Sequence, residues 1–193
     1  MEDLIRSFEE YPGVGPRTAE RMAVYTLEKI GKDKAKLFIN NLEKIFNCVR
    51  KCEKCGFYTE NDLCDICKTK RKNELLIVEN SKQIIQIESL KIYDGYYFIL
   101  DKFLSPIDGI NPENIGSDKL FRMINNNKIE KITFAISSTI NKELTIEFLK
   151  EEFKNQGLNI EVYRIGYGIP FGSDIEYVDN LTLKKALERK SKI

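Results

Sequence analysis

The sequence predicts a multi-part α+β chain: a helix-hairpin-helix stretch, a four-cysteine knuckle, an α/β part on a mainly parallel sheet, and a C-terminal helix. Three observations predict it. Pro12-Gly13-Val14-Gly15-Pro16 lies between two amphipathic helical patterns. Cys52-Glu-Lys-Cys55 is followed after eight residues by Cys64-Asp-Ile-Cys67. From about residue 75, short apolar runs alternate with helical patterns. The expected divisions are 1–51, 52–72, 73–165 and 166–193.

In the first part, Leu4, Ile5 and Phe8 sit at helical spacing. Pro12 and the glycines end that helix, Pro16 suits the first position of the next, and Ala19, Met22, Ala23, Leu27 and Ile30 continue an apolar face until Gly31. Helix, GxG hairpin, helix is a phosphate-binding pattern. Gly13 and Gly15 let the backbone approach closely, and amides at the second helix's start face a DNA phosphate. Arg17 and Arg21, four apart, add charge on one face. An ordinary helix-helix turn is the alternative. Ala35, Phe38, Leu42, Ile45 and Val49 form the seam of a third helix, expected to pack on the hairpin helices, and Cys48 near its end reads as a half-buried thiol.

Two CxxC pairs place Cys52, Cys55, Cys64 and Cys67 where one tetrahedral Zn²⁺ can take all four thiolates. Incidental cysteines or a redox pair are the alternatives. The apolar residues here are chiefly Phe57, Tyr58, Leu63 and Ile66, too few to order the segment by burial, whereas structural zinc supplies an apparent ~10 to 16 kcal/mol. Four sulfurs fill the coordination shell, so the site reads as a structural clasp rather than a catalytic centre. Lys68, Lys70, Arg71 and Lys72 follow as a solvated linker or a phosphate contact.

The α/β part is read from Leu75–Val78, Tyr96–Leu100, Ile132–Ile136 and Ile160–Ile165 as strands, with helices from Ser81, from Ser117-Asp118 and over Lys142–Gln156. Ser81 is the expected cap of the first. In such sheets function sits beyond the strands' carboxyl ends. Gly166-Tyr167-Gly168-Ile169-Pro170-Phe171-Gly172 is a glycine-punctuated loop expected to turn the chain tightly and, if the chain assembles, to present Phe171 and Tyr177 to a neighbouring subunit, with nucleotide binding as the alternative. Asp179 or Thr182 caps a last helix bearing Leu183, Ala186 and Leu187, before the basic tail from Arg189 to Lys192. No GxxxxGK[ST] phosphate loop occurs.

Composition excludes several functions. The 193 residues contain no histidine, which removes Ser-His-Asp and Cys-His nucleophilic schemes. Formal net charge is +1, with 15 Lys+Arg against 12 Asp+Glu in residues 1–72 and 16 against 18 thereafter. Any nucleic-acid surface must be local. The apolar runs are too short to span a bilayer and no signal-peptide pattern opens the chain, which predicts a cytoplasmic protein without membrane contact. Five cysteines in a reducing compartment argue against a disulfide framework.

The order of parts, with Pro12-Gly13-Val14-Gly15-Pro16-Arg17, the four cysteines, Leu76-Ile77-Val78-Glu79, Gly95-Tyr96-Tyr97, Leu104-Ser105-Pro106-Ile107-Asp108-Gly109-Ile110 and the run from Gly168 to Asp179, resembles the RecR family of bacterial recombination mediators over essentially the whole length. The resemblance implies a Toprim-type domain over 73–165 and a homo-oligomeric ring, a tetramer or dimer of dimers, that encircles DNA without reading sequence. It also implies action with RecO-type and RecF-type repair proteins to load recombinase at gaps. The family's subunits meet through the N-terminal helices and the C-terminal part, which makes the Phe38/Leu42/Ile45 seam a candidate contact. The family's corresponding C-terminal segment has been likened to a Walker B element.

Departures from the pattern bear on mechanism. Catalytic Toprim enzymes hold Mg²⁺ with a Glu after the first strand and an Asp-x-Asp after a later one. Glu79 fills the first position, but Ser137-Ser138-Thr139 replaces the second, and hydroxyls substitute poorly for carboxylates around a hard cation. Asn141-Lys142-Glu143 stands where the family usually has an acidic-Gly-acidic run, leaving Glu143 beside Glu79 as the partner-binding candidates; solvated carboxylates are the plain alternative. The expectation is a non-enzymatic DNA-binding mediator. A Mg²⁺-dependent Toprim nuclease, primase or topoisomerase, and a zinc-bearing adaptor that never touches DNA, are the rivals.

Overall fold

A computed structural model describes residues 1–166, 169 and 172–188. The chain divides into two compact units, residues 1–50 and 51–193.

The first unit is helical. Helix α1 (Glu2–Glu9) and helix α2 (Pro16–Tyr25) flank the hairpin, a π-helical turn follows at Thr26–Ile30, and α3 spans Gly31–Cys48. Ala19 and Ala23 are fully buried, and small side chains on that face of α2 let α1 approach. Gly13 has φ +84°, a left-handed conformation that a Cβ disfavours. Pro16 opens α2 as expected. Gly31, at φ +74°, marks the break before α3. The apolar seam of α3 departs from expectation. None of the helix's residues is buried; along the seam Ala35, Leu42 and Val49 are half-buried, while Phe38 and Ile45 are each 53% exposed, so the hairpin helices leave the seam only partly covered. Cys48 is exposed, not half-buried.

A small two-stranded sheet, β1 (Arg50–Lys51) and β2 (Tyr58–Thr59), starts on the last residue of the first unit and continues into the second, followed by a short helix α4 (Asp65–Lys68). The main sheet follows as β3 (Lys72–Val78), α5 (Ser81–Leu90), β4 (Gly95–Ile99), α6 (Ser117–Asn127), β5 (Lys131–Ala135), α7 (Ile140–Asn155) and β6 (Glu161–Arg164), and α8 (Asn180–Glu188) lies last. Its four strands are all parallel, in the order β4-β3-β5-β6. Leu75 to Val78 are all buried because both faces of β3 are covered. Leu75 and Ile77 join Phe98, Ile132 and Phe134 under Leu120, Ile124, Leu149 and Phe153 of α6 and α7. Leu76 and Val78 meet Tyr97, Ala135 and Ile84 of α5 on the other face.

Local chemistry sets the ends. Asn80, not Ser81, caps α5: its Oδ1 accepts the Gln83 N–H at 3.2 Å and its own N–H donates to Gln83 Oε1 at 3.3 Å, a reciprocal capping box. Asp179 rather than Thr182 caps α8, accepting the Thr182 N–H at 2.9 Å. The Leu104–Ile110 loop closes on itself through Ser105 and Ile110, and Leu104 N–H donates to buried Thr145 Oγ1 of α7 at 2.8 Å. Arg71, read as part of a linker, instead forks onto Glu88 with two bonds of 2.9 Å and lies over the Tyr97 ring. Tyr177 is 86% exposed. Tyr167, Gly168, Pro170, Phe171 and the tail from Arg189 lie outside the described residues, as does what was expected of them. Among the described residues no helix is long and apolar enough to cross a membrane.

Candidate functional site

Cys52, Cys55, Cys64 and Cys67 converge in one buried cluster, with all four sulfurs within 4.8 Å of one another. Tetrahedral zinc with bonds of about 2.3 Å sets its sulfurs about 3.8 Å apart; Cys55 and Cys64 Sγ are already 3.5 Å apart. Two backbone amides point at the sulfurs, Cys64 N–H to Cys52 Sγ at 3.3 Å and Phe57 N–H to Cys55 Sγ at 3.4 Å, which stabilises thiolates. Hydrogen bonds from Cys55 and Cys67 hold the Cys64 thiol far below its ordinary range, and the same bonds, with burial, push those two up. A divalent cation satisfies the resulting excess of sulfur lone pairs.

The knuckle is also part of the α/β core. Its cysteines pack in the same cluster as Leu75, Phe98 and Leu100. Ile99 N–H, on the outer side of edge strand β4, donates to Cys55 O at 2.9 Å. Gly56, at φ +80°, lies so close to Ile99 that a Cβ there would meet the Ile99 Cβ at 3.4 Å. The knuckle thereby covers an edge that would otherwise offer unpaired backbone groups.

In the hairpin, Arg17 and Arg21 are both exposed on α2. Thr18 and Ala19 N–H fold back on Gly15 O at 3.0 and 2.9 Å, and Val14 N–H on Tyr11 O at 3.1 Å. Gly15 adopts φ −92°, which any residue can take. A Cβ on it would meet nothing within 4 Å. The chain's own packing therefore does not demand glycine there, and the position is open to a group from outside.

At the carboxyl end of the sheet, Glu79 and Glu143 are both engaged. Glu79 Oε1 accepts the Ser137 N–H at 2.5 Å, while Lys142 Nζ donates to Glu79 Oε2 at 2.7 Å and to Ser137 Oγ at 2.6 Å. Burial alone raises the Glu79 carboxyl, but the bonds from Lys142 and Ser137 outweigh it and hold it below the usual range. Glu143 accepts Arg164 Nη1 on both oxygens, at 2.5 and 2.6 Å, and Ser138 Oγ at 2.6 Å. Neither carboxylate stands alone, although the Glu143 side chain is still 42% exposed to solvent and that of Glu79 20%. Sequence reasoning missed Lys142 and Arg164 as their partners; the pairings require β3, β5 and β6 to be neighbours, and only Lys142's place beside Glu143 hinted at one.

Four family descriptions match along the chain: the RecR helix-hairpin-helix over residues 1–43, the RecR four-cysteine zinc finger domain over 49–68, the Toprim domain over 73–164, and the RecR C-terminal part over 168–190. The recombination protein RecR of Saccharophagus degradans is 42% identical over 195 residues, covering 100% of this chain and 98% of the relative. The RecR of Enterococcus faecalis is 35% identical, with 98% and 96% covered, and that of Coxiella burnetii 34%, with 98% and 94%. This chain belongs to the RecR family.

As a RecR-family chain it is a recombination protein, with the helix-hairpin-helix, zinc-finger and Toprim parts that the sequence predicted. Its four-cysteine centre fits one structural zinc: four buried sulfurs at the required spacing, two amides aimed at them, and no fifth ligand in the cluster among the described residues. In the Toprim part the first acidic position carries Glu79, and the place beside it holds the ammonium of Lys142.

Proposed function

We propose that this RecR-family chain is a non-enzymatic, sequence-independent DNA-binding mediator of recombination and repair in the cytoplasm. It works as a ring, a tetramer or dimer of dimers, that closes on DNA at gaps and acts with RecO-type and RecF-type proteins to load recombinase. The observation that carries the reading is the hairpin. It sets exposed Arg17 and Arg21 on one helix beside Gly13 and Gly15, with nothing within 4 Å of where a Gly15 Cβ would stand. Such contacts are weak singly, ~10⁻⁴ to 10⁻⁶ M at physiological salt. Several copies held together make them act as one. The outward apolar face of α3, with Phe38 and Ile45 half exposed and Phe46 83% exposed, supports assembly, since so apolar a surface is rare on a free monomer.

The non-enzymatic reading is supported by Lys142, whose ammonium occupies the Glu79 oxygen that a divalent cation would need. Glu79 and Glu143 are proposed to contribute to a partner-binding surface as members of ion pairs, not as bare charges.

The test is Arg17→Glu with Arg21→Glu, followed by gel shift at low salt and by oligomeric mass on the same preparation. The expected result is loss of DNA binding with mass unchanged. Unchanged DNA binding overturns the role given to the hairpin. Metal-dependent strand cleavage abolished by Glu79→Gln would establish the enzymatic rival instead.

A further inference from the structure

A groove on the second unit, between the zinc knuckle and α6, is ringed by Lys51, Lys54, Lys102, Lys119 and Arg122. The carboxylates that share its lining are Glu53 and Asp101. Five cations against two acids is a strong local bias in a chain of net charge +1.

Pairing sets this patch apart. Lys68, Arg71, Lys72, Lys131, Lys142, Lys150 and Arg164 of the same unit each hold a carboxylate. In the groove Lys51 holds Asp101 at 2.6 Å, but Lys54, Lys102, Lys119 and Arg122 have no carboxylate within ion-pair distance among the described residues. Lys119, Arg122 and Asn126 recur at helical spacing and form one exposed stripe of α6 along the groove. The apolar residues beneath, Phe98, Ile115 and Met123, are buried to within a few per cent. A protein partner needs exposed apolar anchors to bind stably. A phosphate backbone needs Lys, Arg and amide donors. The groove offers the second set without the first.

We propose that this groove is a second nucleic-acid backbone contact, carried by residues 51–193 and separate in sequence from the hairpin. It rests on the reading that the chain binds DNA, and extends it: the knuckle then bears on DNA through the cations around it while its four cysteines stay buried. A simple compensating role for these cations, balancing the negative charge of a zinc-bound four-cysteine centre, makes a different prediction, because Lys119 and Arg122 would then govern zinc retention.

The test uses the full-length, zinc-loaded protein. Lys119→Glu with Arg122→Glu is compared with Arg17→Glu/Arg21→Glu and wild type by fluorescence anisotropy on single- and double-stranded DNA of arbitrary sequence over a salt series. Zinc content and thermal unfolding are measured alongside, and Lys119→Arg with Arg122→Lys serves as the charge-conserving variant. The expected result is about tenfold or greater weakening at moderate salt, with the slope of log affinity against log salt reduced by about 1 to 2. Zinc content and unfolding stay as in wild type, and the charge-conserving variant restores affinity. If the groove variant keeps wild-type affinity and slope while the hairpin variant loses binding, the groove proposal is overturned and the hairpin reading stands. If neither variant changes binding, both fall. Lost zinc, or lost affinity for an acidic polypeptide with DNA binding intact, also overturns the groove proposal.

Discussion

Replacing Lys142 by Met removes an ammonium that stands over the Phe103 ring, 5.1 Å from its centroid, while keeping most of the aliphatic stem. Glu79 is then left partly buried with the Ser137 bond but no cation. The side chains of Lys142 and Glu79 are 17% and 20% exposed, between a wholly buried pair, whose breakage costs about 3 to 5 kcal/mol, and a surface pair at about 0 to 1, so a loss of about 2 kcal/mol is expected. The pH dependence has a definite sign. In the wild type the Glu79 carboxyl lies below its ordinary range, so its contribution is present above the unfolded value of about 4.3 and is lost as pH falls through the folded one. In the variant the lowering supplied by Lys142 is gone and burial is opposed by the Ser137 bonds alone, so the carboxyl rises and protonation relieves part of the penalty. Urea unfolding at a series of pH values should show the gap between the two proteins widest near pH 7 and closing as pH falls through about 4. Adding Glu79→Gln to the variant should recover about half of the loss, because an amide has no charge to strand. A loss below about 0.5 kcal/mol at pH 7, or one of constant size across pH, refutes the structural role given to this ion pair.

Two further outcomes are expected. Stripping zinc with a chelator, or substituting Cys64→Ser, should expose the β4 edge and lower the unfolding temperature of the second unit while the helicity of residues 1–50 persists; circular dichroism with light scattering checks it, and an unchanged transition in zinc-free protein refutes the metal's role. Arg71 holds the Glu88 carboxyl below its ordinary range, with Tyr97 OH adding a bond at 2.8 Å. That stability is fully present above the unfolded value of about 4.3 and is lost as pH falls on through the lower folded one, so Glu88→Gln should be less stable at neutral pH by about 1 to 2 kcal/mol and should show a flatter acid limb in a thermal-melt series.

The cysteines were legible because their spacing is local: a CxxC knuckle brings its two sulfurs together whatever surrounds it. Leu75–Val78 was legible for a similar reason, since an unbroken apolar run between turn signals fits a strand covered on both faces. The α3 seam was legible as a pattern, but what covers it was not. Periodicity shows that Phe38, Leu42 and Ile45 share a face, and carries no information about what covers it. The Asn80 cap differed from Ser81 by one residue because either side chain can accept an amide, and Gln83 decided between them by reaching back. Glu79 and Lys142 lie 63 positions apart, and their meeting depends on β3 and β5 being neighbours although β4 intervenes in sequence. No window of sequence contains that adjacency.

The ammonium at Glu79 has a consequence for how the sheet's carboxyl end behaves in a changing ionic environment. A metal ion leaves its site when its free concentration falls, and a competing ion takes its place. A counter-ion tethered to the same chain remains at a high effective concentration whatever the surroundings hold. The counter-charge at the tip of β3 therefore comes from the chain itself, through the Lys142 ammonium held on Glu79.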